Sequence, residues 1–426
     1  MSSTLIRSVA VLGAGTMGAQ IAGHLGNAGV STLLLDLTEE VALDGLKRAR
    51  ALRPDPFFAP EATGRLSTGG FDRDLDRLHE VDWIIEAVVE RIDVKQSLLE
   101  RVDAVRRAGT IVSSNTSGIP IASLAAGRSN DFRRHWLGTH FFNPPRYLHL
   151  LEIIPTRDTD PAVQARVSRF ADLVLGKGVV VAKDTPNFIA NRIGLFGLTK
   201  ALRLLADGEY TIEEIDAMSG APLGRPKSAV CRTADIAGLD VLGHVARNLA
   251  ERLSDAHERE AFRLPPLVDD LIARGWIGEK SGQGFYKKQG DDILTLDART
   301  MTYRARQSAR LPSLDAARTI DDAGTRIRTL FLGADRVGDF LRRTLGPTLI
   351  YAARVALDIA YSIDDVDRAM QWGFGWALGP FETWDAIGAS EVLDAVGEAG
   401  APPPLAAEAL GRGGHRFRDA ALRPAG

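Results

Sequence analysis

Seven short runs rich in β-branched and apolar residues recur along the first 183 positions: VAVLGAG from Val9, STLLLD from Ser31, DWIIEAV from Asp82, TIVSSNTS from Thr110, RHWLGTHF from Arg134, LHLLEIIP from Leu148 and VVVAKD from Val179. Amphipathic stretches separate them, and that alternation predicts a doubly wound, largely parallel sheet over residues 1–183. Beyond Asp184-Thr185-Pro186 the strand signals stop and helical periodicity takes over, with Thr211-Ile212-Glu213-Glu214 reading as a capping box that starts a helix. This region is expected to be all helical. It contains a repeat: TIEEIDAM at 211–218 matches SIDDVDRAM at 362–370, and TADIAG at 233–238 matches TWDAIG at 383–388. Two similar helical modules follow, one over 184–286 and one over 347–426, joined by an Arg- and Asp-rich linker over 287–346 whose tail, TRIRTLFLGADRVGDFLRRTL, has a helical pattern. From Ala401 onward the pattern is weak and the chain is expected to be loosely held.

Composition narrows the function. With 426 residues, two or three domains are expected. A net charge of -3 lacks the basic excess that neutralising phosphates requires, which excludes nucleic acid as a partner. The one cysteine, Cys231, rules out an internal disulfide and a cysteine metal cluster, so a cytoplasmic setting is expected and no metal is implied. The first strand-like run begins by Val9, leaving no room for a secretory leader. The most apolar stretch, FIANRIGLFGLTKALRLL, carries Arg192, Lys200 and Arg203 and reads as a buried helix rather than a membrane span.

The candidate chemistry gathers at strand ends. Gly13-Ala14-Gly15-Thr16-Met17-Gly18 follows a strand and opens a helix, while Asp36 closes the next strand. In that setting Gly13 permits the tight turn, Gly15 lets backbone approach a pyrophosphate, and Gly18 lets helix and strand pack closely, giving a Rossmann-type nucleotide site. Asp36 would bond a ribose 2′-hydroxyl and repel a 2′-phosphate, selecting NAD over NADP. A glycine-rich turn with no ligand is the blander alternative. Glu90 and Lys95 follow the strand DWIIEAV at the edge where ligands of such sheets collect, though lone charges there also fit a solvated helix face. Ser117 and Asn115, in SSNTSG, share that rim or cap a helix.

His140, in GTHFFNPP, falls at a strand end on the same rim, and Glu152 lies on the adjoining strand. A carboxylate on one ring nitrogen fixes the tautomer and raises the basicity of the other, which makes an imidazole a general base. A lone histidine is more often a satisfied core residue, but Glu152 would be a costly unpaired acid among LHLLEII without a partner. Phe141 and Phe142 read as packing, and Pro144 and Pro145 as fixing the loop. Asn191, in DTPNFIANR, is either an interdomain structural amide or a holder of a substrate oxygen.

Taken together, GAGTMG, DWIIEAVVE, SSNTS, GTHFFNPP, LLEIIP, DTPNFIANR and KSGQGFY make the chain resemble the L-3-hydroxyacyl-CoA dehydrogenase family over essentially its whole length. The resemblance implies that His140 and Glu152 are the catalytic pair, that Ser117 and Asn191 contact substrate, and that NAD is held by the Gly13 to Gly18 loop (Thr16 and Met17 included), Asp36, Glu90, Lys95, Ser117, Asn143 and Lys280. It implies oxidation of a 3-hydroxyacyl-CoA during fatty-acid β-oxidation. Related β-hydroxyacid dehydrogenases on small carboxylates, and non-catalytic NAD-binding relatives, are the competing classes. Two departures stand out. Stand-alone members carry a CoA-contacting helical hairpin after the second strand, whereas ALRPDPFFAPEATGRLSTGGF is too proline-rich for long helices. The second repeat, with WGFGWALGPFETWDAIG, and GRPKSAVCRTADIAGLD in the first resemble the dehydrogenase half of bifunctional proteins that also carry an enoyl-CoA hydratase half. A separate hydratase partner or a missing fused half is thus implied, and two like modules in one chain make either a monomer or a dimer compatible with the fold.

Overall fold

The computed structural model describes residues 5–397, 401–411 and 416–418. It divides into two compact units, residues 1–188 and 189–426. The first unit is built on eight strands: β1 (Ser8–Leu12), β2 (Ser31–Asp36), β3 (Leu66–Gly70), β4 (Trp83–Glu86), β5 (Ile111–Ser114), β6 (Trp136–Phe141), β7 (Leu150–Pro155) and β8 (Gly178–Val181). Their order is β3-β2-β1-β4-β5-β6-β7-β8. The chain winds outward from β1 to β3, then returns to place β4 on the other side of β1, so the sheet has its switch point between β1 and β4. Helices cover both faces, and central strands are apolar along their length because neither face meets water: Val9, Val11, Leu34, Ile85, Ile111, Leu151 and Ile153 share one buried core. Fully burying each such side chain contributes roughly 1.5–3 kcal/mol.

The pairings β1 through β6 are parallel, but β7 runs antiparallel to β6. The cause is local. Only residues 142–149 join β6 to β7, too few for a crossover, so the chain must turn back on itself. The helix Pro161–Leu173 then supplies a crossover that returns β8 parallel to β7. All seven expected strands are present. The eighth, β3, gave no signal because this edge strand, LSTGG, has one apolar residue. The proline-rich stretch before it forms a short 3-10 turn over Pro60–Arg65 instead of a helical hairpin.

The second unit is mainly helical, and its first long helix, Ala190–Ala206, is the apolar stretch expected to be a buried helix. The capping box forms as expected: Thr211 accepts from Glu214 N–H while the Glu214 carboxylate accepts from Thr211 N–H. The repeat extends to hydrogen bonds. Asp216 accepts from Cys231 N–H (2.7 Å) and Arg232 N–H (3.2 Å), and its counterpart Asp367 accepts from Phe381 N–H (2.8 Å) and Glu382 N–H (3.2 Å). Asp235 receives Phe285 N–H and Asp385 receives Phe417 N–H.

Three expectations for this unit are corrected. The linker carries a three-stranded antiparallel sheet, β9 (Tyr286–Gln289), β10 (Asp292–Asp297) and β11 (Thr302–Ala305), ordered β11-β10-β9. Only three of its fourteen positions are buried, so the apolar signal is faint, although Gly290 at φ +62° marks the hairpin turn. The helix Arg336–Ile359 runs through the expected module boundary at 346 and 347, since packing on both sides sustains it past Pro347. The expected loose tail instead has a helix, Pro404–Gly411, with Leu405, Ala406 and Ala409 buried; residues 398–400, 412–415 and 419–426 of that tail lie outside the described residues. Among the described residues no helix is long and apolar enough to cross a membrane.

Candidate functional site

The first unit brings its candidate residues to one rim, at the carboxyl ends of β1, β2, β4, β5 and β6. At the end of β1, Gly13 sits at φ +104°, where a Cβ would come 2.6 Å from the Ala87 carbonyl oxygen, and a Cβ on Gly18 would collide with the Gly13 carbonyl. Gly15 differs: a Cβ there would meet nothing within 4 Å. The first and third glycines are therefore required by the protein's own packing, whereas the second leaves open space above backbone, as a pyrophosphate needs. The helix Thr16–Asn27 begins directly behind it, with the first-turn N–H groups of Thr16, Met17 and Gly18 at its positive end. Asp36 closes β2 and receives Ala14 N–H at 2.6 Å, so the residue suited to a ribose also braces the glycine turn. These features fit a dinucleotide, with NAD favoured by the carboxylate.

His140 and Glu152 face each other across the β6–β7 ladder. Directly opposed residues of an antiparallel pair point to the same face, and the His140 Nδ1 to Glu152 Oε2 distance is 2.7 Å. A carboxylate only accepts, so Nδ1 carries the proton and Nε2 keeps its lone pair. Both side chains are buried, at 3% and 0% exposure, which keeps the pair out of competing water. The ring is held by Phe142 and Phe188, with centroids 4.5 and 5.5 Å away. Phe142 packs as expected, on the imidazole itself, and Phe141 is buried. Asn143, at the exit of β6, accepts from Gln20 Nε2 at 2.9 Å, tying the histidine loop to the helix of the glycine turn.

Behind this pair the exit of β5 is fastened at each residue. Asn115 caps no helix; its Oδ1 receives Phe141 N–H at 2.9 Å, next to His140. Thr116 Oγ1 and the amides of Ser117 (3.0 Å) and Gly118 (3.2 Å) all donate to Glu90 Oε1. Ser117 is half-buried on this turn. Burial works to raise the Glu90 pKa, but the Lys95 charge and these donors prevail and hold it below the ordinary glutamate value. Lys95 is 1% exposed and lies 2.6 Å from Glu86 and 3.3 Å from Glu90, so neither acid nor lysine belongs to a solvated helix face. Glu86 was missed from the sequence. The reasoning that singled out Glu152, a carboxylate in an otherwise apolar strand, applies equally to Glu86 in Trp83-Ile84-Ile85-Glu86.

Two remaining candidates belong to the second unit. Asn191 lies half-buried in the first turn of the helix Ala190–Ala206. Lys280, in the turn Glu279–Ser281, donates to Asp240 at 2.7 Å.

Comparison with known proteins identifies the family. Residues 8–185 match the model of the 3-hydroxyacyl-CoA dehydrogenase NAD binding domain, and residues 188–288 and 338–409 match that family's C-terminal domain. The chain is 45% identical to a probable 3-hydroxyacyl-CoA dehydrogenase of Bacillus subtilis over 97% of its own length and 55% of that protein. It is 28% identical to a putative fatty acid oxidation complex trifunctional enzyme of Rickettsia felis, over 88% of this chain and 52% of that one. It thus spans about half the length of these two curated relatives. A 3-hydroxybutyryl-CoA dehydrogenase structure from Escherichia coli shares the fold, with a TM-score of 0.67 and 21% identity over 98% of this chain and 97% of that one. Matched across both of its domain models, the chain belongs to the 3-hydroxyacyl-CoA dehydrogenase family.

Proposed function

We propose that this chain oxidises the 3-hydroxyl of an L-3-hydroxyacyl-CoA to the 3-oxo compound, with His140 as general base. The observation that carries the reading is the 2.7 Å contact between His140 Nδ1 and the buried Glu152 carboxylate. When bound, NAD supplies the acceptor for the C3 hydride. His140 Nε2 takes the hydroxyl proton, and Glu152 offsets the positive charge that then appears on the ring. By resemblance, Ser117 and Asn191 hold substrate oxygens near attack geometry. By the same resemblance the NAD contacts come from Gly13, Gly15, Thr16, Met17, Gly18, Asp36, Glu90, Lys95, Ser117, Asn143 and Lys280.

A role in fatty-acid β-oxidation draws support from the trifunctional relative. Coverage of half of both relatives suits a chain that works beside an enoyl-CoA hydratase, as a separate partner or as a further segment. The single buried Cys231 suits a cytoplasmic setting. Following NADH absorbance tests the reaction: activity is expected with L-3-hydroxybutyryl-CoA and NAD, and not with 3-hydroxyisobutyrate. Turnover of the free hydroxy acid alone would move the protein to the β-hydroxyacid dehydrogenases, and no turnover of either would make it a non-catalytic relative.

A further inference from the structure

Past the end of β8 the chain leaves the sheet, yet it stays fastened to the first unit. Ala182 N–H donates to the Ile153 carbonyl at 2.9 Å, one residue from Glu152. Asp184 then receives Ile121 N–H and Ala122 N–H, each at 2.8 Å, and so grips the start of the helix Ile121–Leu124 that follows the Ser117 turn. A tight turn comes next, closed by Phe188 N–H on the Thr185 carbonyl at 3.1 Å.

That turn ends in a costly backbone conformation. Among the described residues four non-glycine positions have positive φ, and only Asn187 (+58°) and Phe188 (+54°) are consecutive. Asparagine enters the left-handed region readily, because its short amide bonds locally. A Cβ that carries a bulky ring is crowded there, and such a residue persists only where its surroundings dictate it. What the conformation achieves is visible at the far end of the side chain. The Phe188 ring is 1% exposed and its centroid lies 5.5 Å from that of the His140 imidazole, with Phe142 4.5 Å from the same ring. The hydrogen bond from Nδ1 to Glu152 fixes one atom of the imidazole and leaves the ring some freedom to rock about it. Two aromatic rings packed on the imidazole remove that freedom, and the direction of Nε2 is set.

We infer that residues 182–188 form a strap that aims Phe188 at His140, making Asn187 and Phe188 positioning residues for the general base. The strap's role rests on the dehydrogenase reading above and leaves every cofactor and substrate contact of that reading in place. Because Asp184 holds the helix after Ser117, the same segment ties the wall of the histidine to the serine turn. Phe188→Leu keeps an apolar side chain and loses the flat ring, and Phe188→Tyr restores the ring. At the neighbouring position Asn187→Gly keeps the left-handed backbone, whereas the β-branched Asn187→Val is driven out of it.

Three quantities test the strap on the full chain: kcat, KM for NAD, and the proton NMR signal of His140 Nδ1–H, which a short hydrogen bond to a carboxylate moves far downfield. With L-3-hydroxybutyryl-CoA, kcat should fall roughly ten- to hundredfold in Phe188→Leu, as for a reacting group misplaced by about an ångström, while KM for NAD stays within about twofold of wild type. Phe188→Tyr should recover most of that loss, and Asn187→Val should lose more than Asn187→Gly. The downfield signal should broaden or move upfield in Phe188→Leu and persist in Phe188→Tyr. Wild-type kcat in Phe188→Leu would overturn the inference, as would an unchanged proton signal. If wild type proves inactive on the thioester, the dehydrogenase reading fails, while the proton signal still decides whether Phe188 fixes the ring. Should Phe188→Leu fail to fold, the two Asn187 variants carry the comparison, and equal kcat in both would refute the strap.

Discussion

Two buried histidines of the first unit stand in opposite surroundings. His140 ends a strand, faces Glu152 and keeps one nitrogen free. His24 lies in the helix Thr16–Asn27, where Nε2 donates to the Leu175 carbonyl at 3.1 Å and Nδ1 has no partner. Burial first, and then the nearby Lys177 charge, push the His24 pKa down to about 4. Depth is the same in both cases, at 3% and 7% exposure. The neighbour differs: a carboxylate faces one ring, whereas the other is buried beside a lysine charge. Burial alone therefore marks neither a base nor a filler.

The largest effect should come from the base itself. His140→Ala should keep NAD binding and lose about a hundred- to ten-thousandfold in kcat, roughly 3 to 5 kcal/mol; turnover close to wild type in that variant would falsify the assignment. Glu152→Gln retains an acceptor but removes the charge that stabilises the imidazolium. It should cost about 1.5–3 kcal/mol of transition-state stabilisation, measured as kcat/KM.

His24 sharpens the contrast because its effect should appear in stability and not in turnover. Its folded pKa, about 4, lies below the unfolded value of 6.5. The unfolded chain therefore takes up the proton first, and stability is complete above pH 6.5 and drains away as pH falls toward 4. Urea unfolding at pH 7 and pH 4.5 should show wild type losing about 2–3 kcal/mol more than His24→Leu over that interval. Equal slopes would remove the assignment.

The smallest effect extends the comparison to carboxylates. Glu152 faces an imidazole, whereas Asp216 and Asp367 each face two amides at the start of a helix. Asp216→Ala and Asp367→Ala should each lower stability by about 1–2 kcal/mol in thermal unfolding, with NAD affinity unchanged. A loss confined to one of them would show that the duplicated anchors no longer do the same work.

Much of this was legible in the chain. Strands buried on both faces are largely apolar, so β1, β2 and β4 to β7 announced themselves, as did the apolar edge strand β8. So did the glycine turn, whose spacing follows from steric limits on backbone alone. The exposed sheet β9 to β11 was not legible, because strands that face water need no apolar run. Neither was β3, held by its neighbour's hydrogen bonds at the edge of the sheet.

His140 and Glu152 were individually visible as polar residues in apolar strands, yet twelve positions of separation fit many geometries. Glu86 was written just as plainly and was passed over, because nothing in the sequence said which cation it would meet. Local pattern determined the buried strands, the capped helices and the glycine turn, since each depends on neighbours within a few residues. Which buried acid met which base was decided only by the antiparallel return of β7 and the packing of the helix Ile92–Val105 that carries Lys95. Electrostatic pairing falls off over a few ångströms, and only the folded chain fixes distances that short.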